Sequence, residues 1–484
     1  MGFFSKKKKK ISKNEPLSSD SEYASNNERT PLNVASEDEG FTSGSADEPF
    51  DERYLSTLVD NRGKLDEARY QTVLVYIVIC SLFIGVGTAV IQASSVLRLP
   101  IINSQDDIYY FDDDDGEGGS NRHFGRYIGP YQLKEKHLAS PLSDDGDDDF
   151  LKHYNFLNGS DSKGSNGYVF YVDRDTAIKD DIIRYNPSTQ TSPSSLYLGS
   201  SATKVGPRHS IRLEGLTRFQ RGLFLLDLNH MPSGCGTWPA FWLVNDDPFA
   251  WPYDGEIDIV EGVNLQDVAK TALHTDKHCD MSRVPIGRYD GEFDTATGIP
   301  DKNTGVPSTE TNYATNCFVY DSKQWVNQGC VMVSTEKDTL GEGLNERGGA
   351  IYALEWDPSS RHIRSWVFPK DRPLPLNLEA ALENSGEGDV LPDPEQWPLP
   401  YGYFPIGPGT DCALTHFKHM RLVFNLAFCG SVSGTRFKQD CPALASNFDT
   451  CEDYISSNPD AMSQAYWDVS GVYVYERQFI TEDP

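Results

Sequence analysis

The stretch Gly255-Glu256-Ile257-Asp258-Ile259-Val260-Glu261-Gly262 sets three carboxylates among apolar, mostly β-branched residues. Such residues fit a pleated, half-buried strand, and at a side-chain period of two Glu256 and Asp258 share one face. Strict alternation puts the next position on that face at residue 260, yet the acid stands at 261. A β-bulge that absorbs one residue returns Glu261 to the face of the other two, and bulges re-aim side chains in this way beside active sites.

With one residue absorbed, Glu256 and Glu261 stand four strand steps apart, about 13 Å between Cα atoms. Two glutamates leaning together from that distance bring their carboxyls to the roughly 5 to 5.5 Å that retaining glycoside hydrolysis requires. One then attacks the anomeric carbon while the other, kept protonated by a raised pKa, protonates the leaving oxygen. Asp258 between them is placed to hydrogen-bond the nucleophile. The competing reading is a plain exposed acidic strand face, the common fate of an isolated Glu-x-Asp.

The flanking composition favours the first reading. Cys235-Gly236-Thr237-Trp238-Pro239-Ala240-Phe241-Trp242 lies upstream, and Trp251-Pro252 just precedes the acidic strand. Aromatic rings stack on the apolar faces of sugars, so Trp238, Trp242 and Trp251 are candidate saccharide contacts, with core packing the alternative for Trp242. Together with His230-Met231-Pro232 and the continuation Val263-Asn264, these segments resemble glycoside hydrolase family 16, in the branch of the fungal endo-1,3(4)-β-glucanases, or laminarinases. Leu273-His274-Thr275, Tyr352-Ala353-Leu354-Glu355-Trp356, Trp366-Val367-Phe368-Pro369 and Asn425-Leu426-Ala427-Phe428-Cys429-Gly430 extend the similarity over most of residues 165 to 480.

The resemblance implies an all-β, concanavalin-like β-jelly-roll sandwich and a retaining mechanism, with Glu256 as nucleophile, Asp258 its helper and Glu261 the general acid/base. It also raises His274 as a residue beside the carboxylates, reached across a neighbouring strand. Trp356 either lines a sugar subsite or packs between the sheets, and Asn425 is a further candidate substrate contact. No cofactor is expected; some members of the family carry a structural calcium ion, but no diagnostic ligands for one stand out here.

Independently of the resemblance, short aromatic and β-branched runs punctuated by Gly, Pro, Asn and Asp predict strands over 168–172, 210–213, 222–228, 351–354, 421–425 and 471–475. Many strands without sustained helical periodicity make a sandwich. Insertions between strands are expected over 280–345 and 370–420.

The first third of the chain reads differently. Residues 1–70 are expected to be a disordered cytosolic tail, opening with Lys6 to Lys10 and rich in Ser, Asn, Glu and Asp. Lys6 occupies the position where myristoylation wants Ser or Thr. No charge falls between Arg69 and Arg98, so residues 71–97 predict one membrane-spanning helix. Basic residues precede it and Asp106, Asp107 and Asp112 to Asp115 follow it, which predicts a single-pass type II protein with its C-terminal mass lumenal or extracellular. Residues 98–150, with acidic blocks at 112–115 and 144–149, are expected to be a solvated stalk ahead of a catalytic domain over 151–484.

Eight cysteines lie beyond the span, an even number that permits four disulfides in an oxidising compartment without fixing their pairing. Asn158-Gly159-Ser160 is a glycosylation sequon on that side. The formal net charge of −29 argues against a nucleic-acid partner. The expected partners are a β-glucan and, through the one helix, a lipid bilayer. No Gly-x-Ser-x-Gly elbow supports serine chemistry. Three rival functions stand beside glucan hydrolysis: transglycosylation that remodels wall glucan, a role in β-1,6-glucan biosynthesis suggested by the type II layout, and a non-catalytic glucan receptor, which the presence of both glutamates disfavours.

Overall fold

The computed structural model describes residues 109–112 and, apart from short gaps, 122–481. The cytosolic tail and membrane helix expected from the sequence lie outside the described residues, as does most of the region up to 121. Among the described residues no helix is long and apolar enough to cross a membrane.

Twelve strands organise the site and its support. In chain order they are β1 (Arg122–Leu138), β2 (Tyr154–Phe156), β3 (Arg212–Gly215), β4 (Gly222–His230), β5 (Thr237–Asn245), β6 (Glu256–Glu261), β7 (Lys270–His274), β8 (Cys330–Val333), β9 (Ala350–Asp357), β10 (His362–Pro369), β11 (Met420–Phe428) and β12 (Trp467–Thr481). The predicted runs at 222–228, 351–354, 421–425 and 471–475 fall inside β4, β9, β11 and β12.

Two antiparallel sheets stack face to face. The larger runs β1-β12-β4-β9-β10 and ends on Gly402–Pro405; the smaller runs β8-β7-β6-β5-β11-β3-β2. Between them Phe224, Leu226, Leu354, Trp356, Trp467 and Val474 of the larger sheet meet Phe241, Leu243, Ile257, Ile259, Leu273 and Phe424 of the smaller. Inward and outward residues alternate as the pleat dictates. The larger sheet is covered on its outer face too: Leu223, Leu225, Ile351, Ala353 and Trp366 pack under Leu378 and Trp397. That explains why Gly222-Leu223-Phe224-Leu225-Leu226 reads as a continuous apolar run. The cover comes from the 370–420 insertion, through a helix at Leu376–Glu383 and a 3-10 turn at Pro394–Gln396.

The domain begins earlier than expected. β1 pairs with β12 from Gly125 to Leu138, so this part of the anticipated stalk is a strand of the larger sheet. Its segment Tyr127 to Leu138 lacks the regular alternation of a half-buried strand, and acidic blocks stand on either side of it. Tyr131 seals the join: its hydroxyl donates to Glu355 at 2.7 Å. Glu355 is fully buried and also receives His362 and Arg364 of β10 and Arg477 of β12, an ion network on the outer face of the larger sheet.

All eight cysteines beyond residue 98 are paired, as Cys235–Cys441, Cys279–Cys412, Cys317–Cys330 and Cys429–Cys451. Two of these bridges fasten the helical segment 435–457 near the start of β5. The other two tie the loops that follow β7.

Candidate active site

The acidic strand β6 carries the bulge that its sequence demands. Against β5 the register runs Glu256 to Val244, Ile257 to Leu243 and Asp258 to Trp242, then shifts so that Val260 meets Phe241 and Glu261 meets Ala240. Ile259 is the extra residue. Ile257, Ile259 and Val260 all enter the core between the sheets, and Glu256, Asp258 and Glu261 emerge together on the opposite face. Val244 and Ala240 are four residues apart, which puts the two glutamates about 13 Å apart at Cα. Gly255 leads into the strand at φ +76°, where a Cβ would stand 2.3 Å from the carbonyl oxygen of His416. Only glycine permits that entry.

Each glutamate accepts an indole N–H. Trp251 Nε1 donates to Glu256 Oε2 at 2.8 Å, and Trp238 Nε1 donates to Glu261 Oε1 at 2.7 Å. Asp258 is almost fully buried, and its Oδ2 lies 3.0 Å from His274 Nε2. Strand β7 supplies that histidine: His274 stands opposite Glu256 and Ala272 opposite Asp258, so the imidazole reaches its aspartate diagonally. Its Nδ1 is buried with no hydrogen-bond partner among the described residues. Gly329, at φ +67°, lets the chain pass there, since a Cβ would approach Nδ1 to 2.9 Å.

The electrostatics follow from three buried carboxylates around one imidazole. Burial pushes Glu256 up, the Asp258 carboxylate adds to this, and the His274 cation works against both, leaving it at about 8. Burial also raises Glu261, opposed by the Lys270 ammonium 3.9 Å away. Burial alone would depress His274, but the hydrogen bond to Asp258 and the charges of Glu256, Asp258 and Glu261 lift it to about 9. The site therefore holds a proton on its glutamate pair at neutral pH while the imidazole is cationic. A raised carboxyl pKa beside a second carboxylate is the condition for acid/base work.

The other sequence candidates divide. Trp242 lies on the same face as Trp238, with its Nε1 donating to Asn425 Oδ1 at 2.7 Å and the Arg212 guanidinium 5.1 Å from its ring. Asn425, opposite Ala240 on β11, is buried and accepts that indole N–H while bonding Tyr171, so it holds Trp242 in place. Trp356 is corrected: it is 1% exposed in the core, on the larger sheet and away from the carboxylates. Period two on β9 turns Trp356 and Leu354 inward and Glu355 outward.

Lys270 and Arg212 were not anticipated. Lys270 had a signal, since Lys270, Ala272 and His274 alternate on one strand face. Arg212 had none, because its approach to Trp242 depends on β3 pairing with β11.

A family model described as the XgeA-like catalytic domain of glycoside hydrolase family 16 matches residues 154–475. A probable glycosidase of Schizosaccharomyces pombe is 33% identical over 330 residues, covering 68% of this chain and 67% of that protein. The Emericella nidulans endo-1,3(4)-β-glucanase xgeA is 32% identical over 72% of this chain, but the match spans only 47% of its own length. Among solved structures, Laminarinase 16A from Phanerochaete chrysosporium, with β-glucans in its donor and acceptor sites, superposes with a TM-score of 0.54 at 28% identity, over 71% of this chain and 99% of that one. An elongating family 16 β-1,3-glucosyltransferase does so at 30% identity, with the same TM-score and coverage. The bulged acidic strand, the sandwich that carries it and the extent of these matches make the chain a member of glycoside hydrolase family 16, with an XgeA-like catalytic domain.

Proposed function

We propose that the chain is a membrane-anchored, retaining endo-β-glucanase acting on 1,3- or mixed 1,3/1,4-linked β-glucan. The observation that carries this reading is the emergence of Glu256 and Glu261 on one strand face, each capped by an indole N–H and flanking an Asp258–His274 pair. Glu256 attacks the anomeric carbon, and Glu261 protonates the leaving sugar oxygen and then takes a proton from the incoming water. In the free enzyme the shared proton is drawn to Glu256 as well as Glu261. Positive charge developing at the anomeric carbon favours the ionised form of Glu256, which leaves the proton on Glu261 where the leaving group needs it. Asp258, bonded to the cationic His274, orients the charge between them. Trp238, Trp242 and Trp251 border the sugar, with Asn425 acting through Trp242.

The glucan assignment draws on the relatives, which are named for 1,3(4)-β-glucan and laminarin chemistry. The anchor rests on the charge-free stretch 71–97 and its asymmetric flanks, and the four disulfides accord with a lumenal or extracellular domain. A second reading has one specific support: the elongating glucosyltransferase shares the fold at 30% identity. A sugar hydroxyl would then intercept the glycosyl-enzyme in place of water. Incubation with laminarin and with mixed-linkage glucan, products resolved by size, tests both. Shorter products alone establish the endo-hydrolase, products longer than the input establish transglycosylation, and no turnover contradicts the proposal.

A further inference from the structure

Glu135 and His137 stand two residues apart on β1, and so on one face of that strand. His153 closes over them from the 3-10 turn Leu151–His153. The two imidazoles stack, 4.0 Å between centroids and 19° between planes. Both aim a nitrogen at the same carboxylate oxygen: His137 Nε2 is 2.5 Å and His153 Nδ1 3.2 Å from Glu135 Oε1. This trio lies ahead of residue 154, where the family match begins, and joins the larger sheet to the start of the smaller one.

We propose that Glu135, His137 and His153 form a binding site for a divalent transition-metal ion of the zinc class, which clips β1 to the chain entering β2. Two imidazole nitrogens and one carboxylate oxygen are a borderline donor set that suits such an ion and not calcium or magnesium, which take oxygen. Tetrahedral ligands at about 2.0 to 2.1 Å from zinc are about 3.3 Å apart. The Glu135–His153 spacing already matches this, and the Glu135–His137 pair opens as the ion replaces the proton it shares.

The surroundings favour such an ion. His137 Nδ1 is 2.7 Å from the Tyr154 hydroxyl, which can accept or donate. It therefore holds the ring with Nε2 free to ligate, as the outer partners of metal-bound histidines do. Glu135 and His153 keep 13% and 21% of their side chains exposed, which leaves an entry path, and water supplies the fourth ligand. The two other convergent groups differ: Glu355 already takes His362, two arginines and a tyrosine hydroxyl, and Glu256, Asp258 and His274 belong to the candidate active site.

Full-length protein without a histidine tag, stripped with EDTA, would be titrated with Zn2+ against a chromophoric chelator and melted with and without the ion. The expected result is one ion per chain and a higher Tm with Zn2+. His153→Ala and Glu135→Gln each weaken binding at least about tenfold, while His274→Asn leaves it unchanged. Absence of saturable binding to the unsubstituted protein, or unchanged affinity in both His153→Ala and Glu135→Gln, overturns the proposal. Neither result bears on glucan turnover, which is read separately.

Discussion

Trp251 Nε1 donates to Glu256 Oε2 at 2.8 Å, although the two residues are only five apart and belong to a loop and a strand. The indole stabilises the ionised carboxylate against the burial that raises its pKa to about 8. Trp251→Phe keeps the ring and removes the donor. The Glu256 pKa then rises further, and the basic limb of the kcat/KM profile moves to higher pH, with activity at pH 9 rising relative to activity at pH 7. An unshifted limb would show that Glu256 does not ionise in the rate-determining sequence.

The basic limb reports the shared proton. Glutamates outside such a site titrate near 4.5, but burial and Asp258 keep a proton on the pair to about pH 8. Turnover should accordingly persist through neutrality and fall above about pH 8. Glu256→Gln and Glu261→Gln, measured separately, should each lose at least about a thousandfold in kcat while retaining a cooperative thermal transition.

Stability should move the other way in Glu256→Gln. A carboxyl whose folded pKa lies above its unfolded value destabilises the fold as pH rises from about 4.5 through 8, because the native state must give up a proton it prefers to keep. Glutamine has no proton to lose, so the variant should gain Tm over the parent at pH 8 and show a smaller gain at pH 5. Scanning calorimetry at the two pH values checks both.

His274 has the opposite charge type. Its folded pKa is raised from 6.5 to about 9, so its contribution is full below 6.5 and fades as pH rises through 9. His274→Asn should therefore cost more stability at pH 6 than at pH 9.5. An equal cost at both would mean that the imidazole is neutral in the folded protein.

Much of this site was legible in the sequence because strand geometry is strict. Alternating Glu256 and Asp258 with a displaced Glu261 has few solutions, and the bulge at Ile259 is one that also buries three apolar residues. The cysteine parity was equally readable, whereas the pairing was not, because Cys235 and Cys441 are brought together only by the fold. Trp356 misled because a tryptophan beside a glutamate looks the same on either sheet, and only the parity of β9 sends it inward. The stalk was overextended because acidic blocks bracket β1, whose own sequence shows no regular alternation to mark it as a strand. Asn425 lies near the expected place but serves differently, fixing Trp242 through a cross-strand contact that no linear spacing encodes.

Trp356 and Trp238 separate packing from chemistry. Trp356→Ala should cost about 3 to 5 kcal/mol, because a fully buried indole leaves a cavity between the sheets. Trp238→Phe should lower kcat through Glu261 while changing Tm by only a few degrees. Chemical denaturation with parallel kinetics on laminarin distinguishes the two.

If Glu256 and Glu261 act as nucleophile and acid/base in a double displacement, the anomeric configuration is retained. Proton NMR of the first product released from laminarin by the full-length protein tests this most directly. The β-anomer should appear first and mutarotate afterwards to the mixture, and Glu256→Gln should release neither at a comparable rate; initial release of the α-anomer would contradict the double displacement outright.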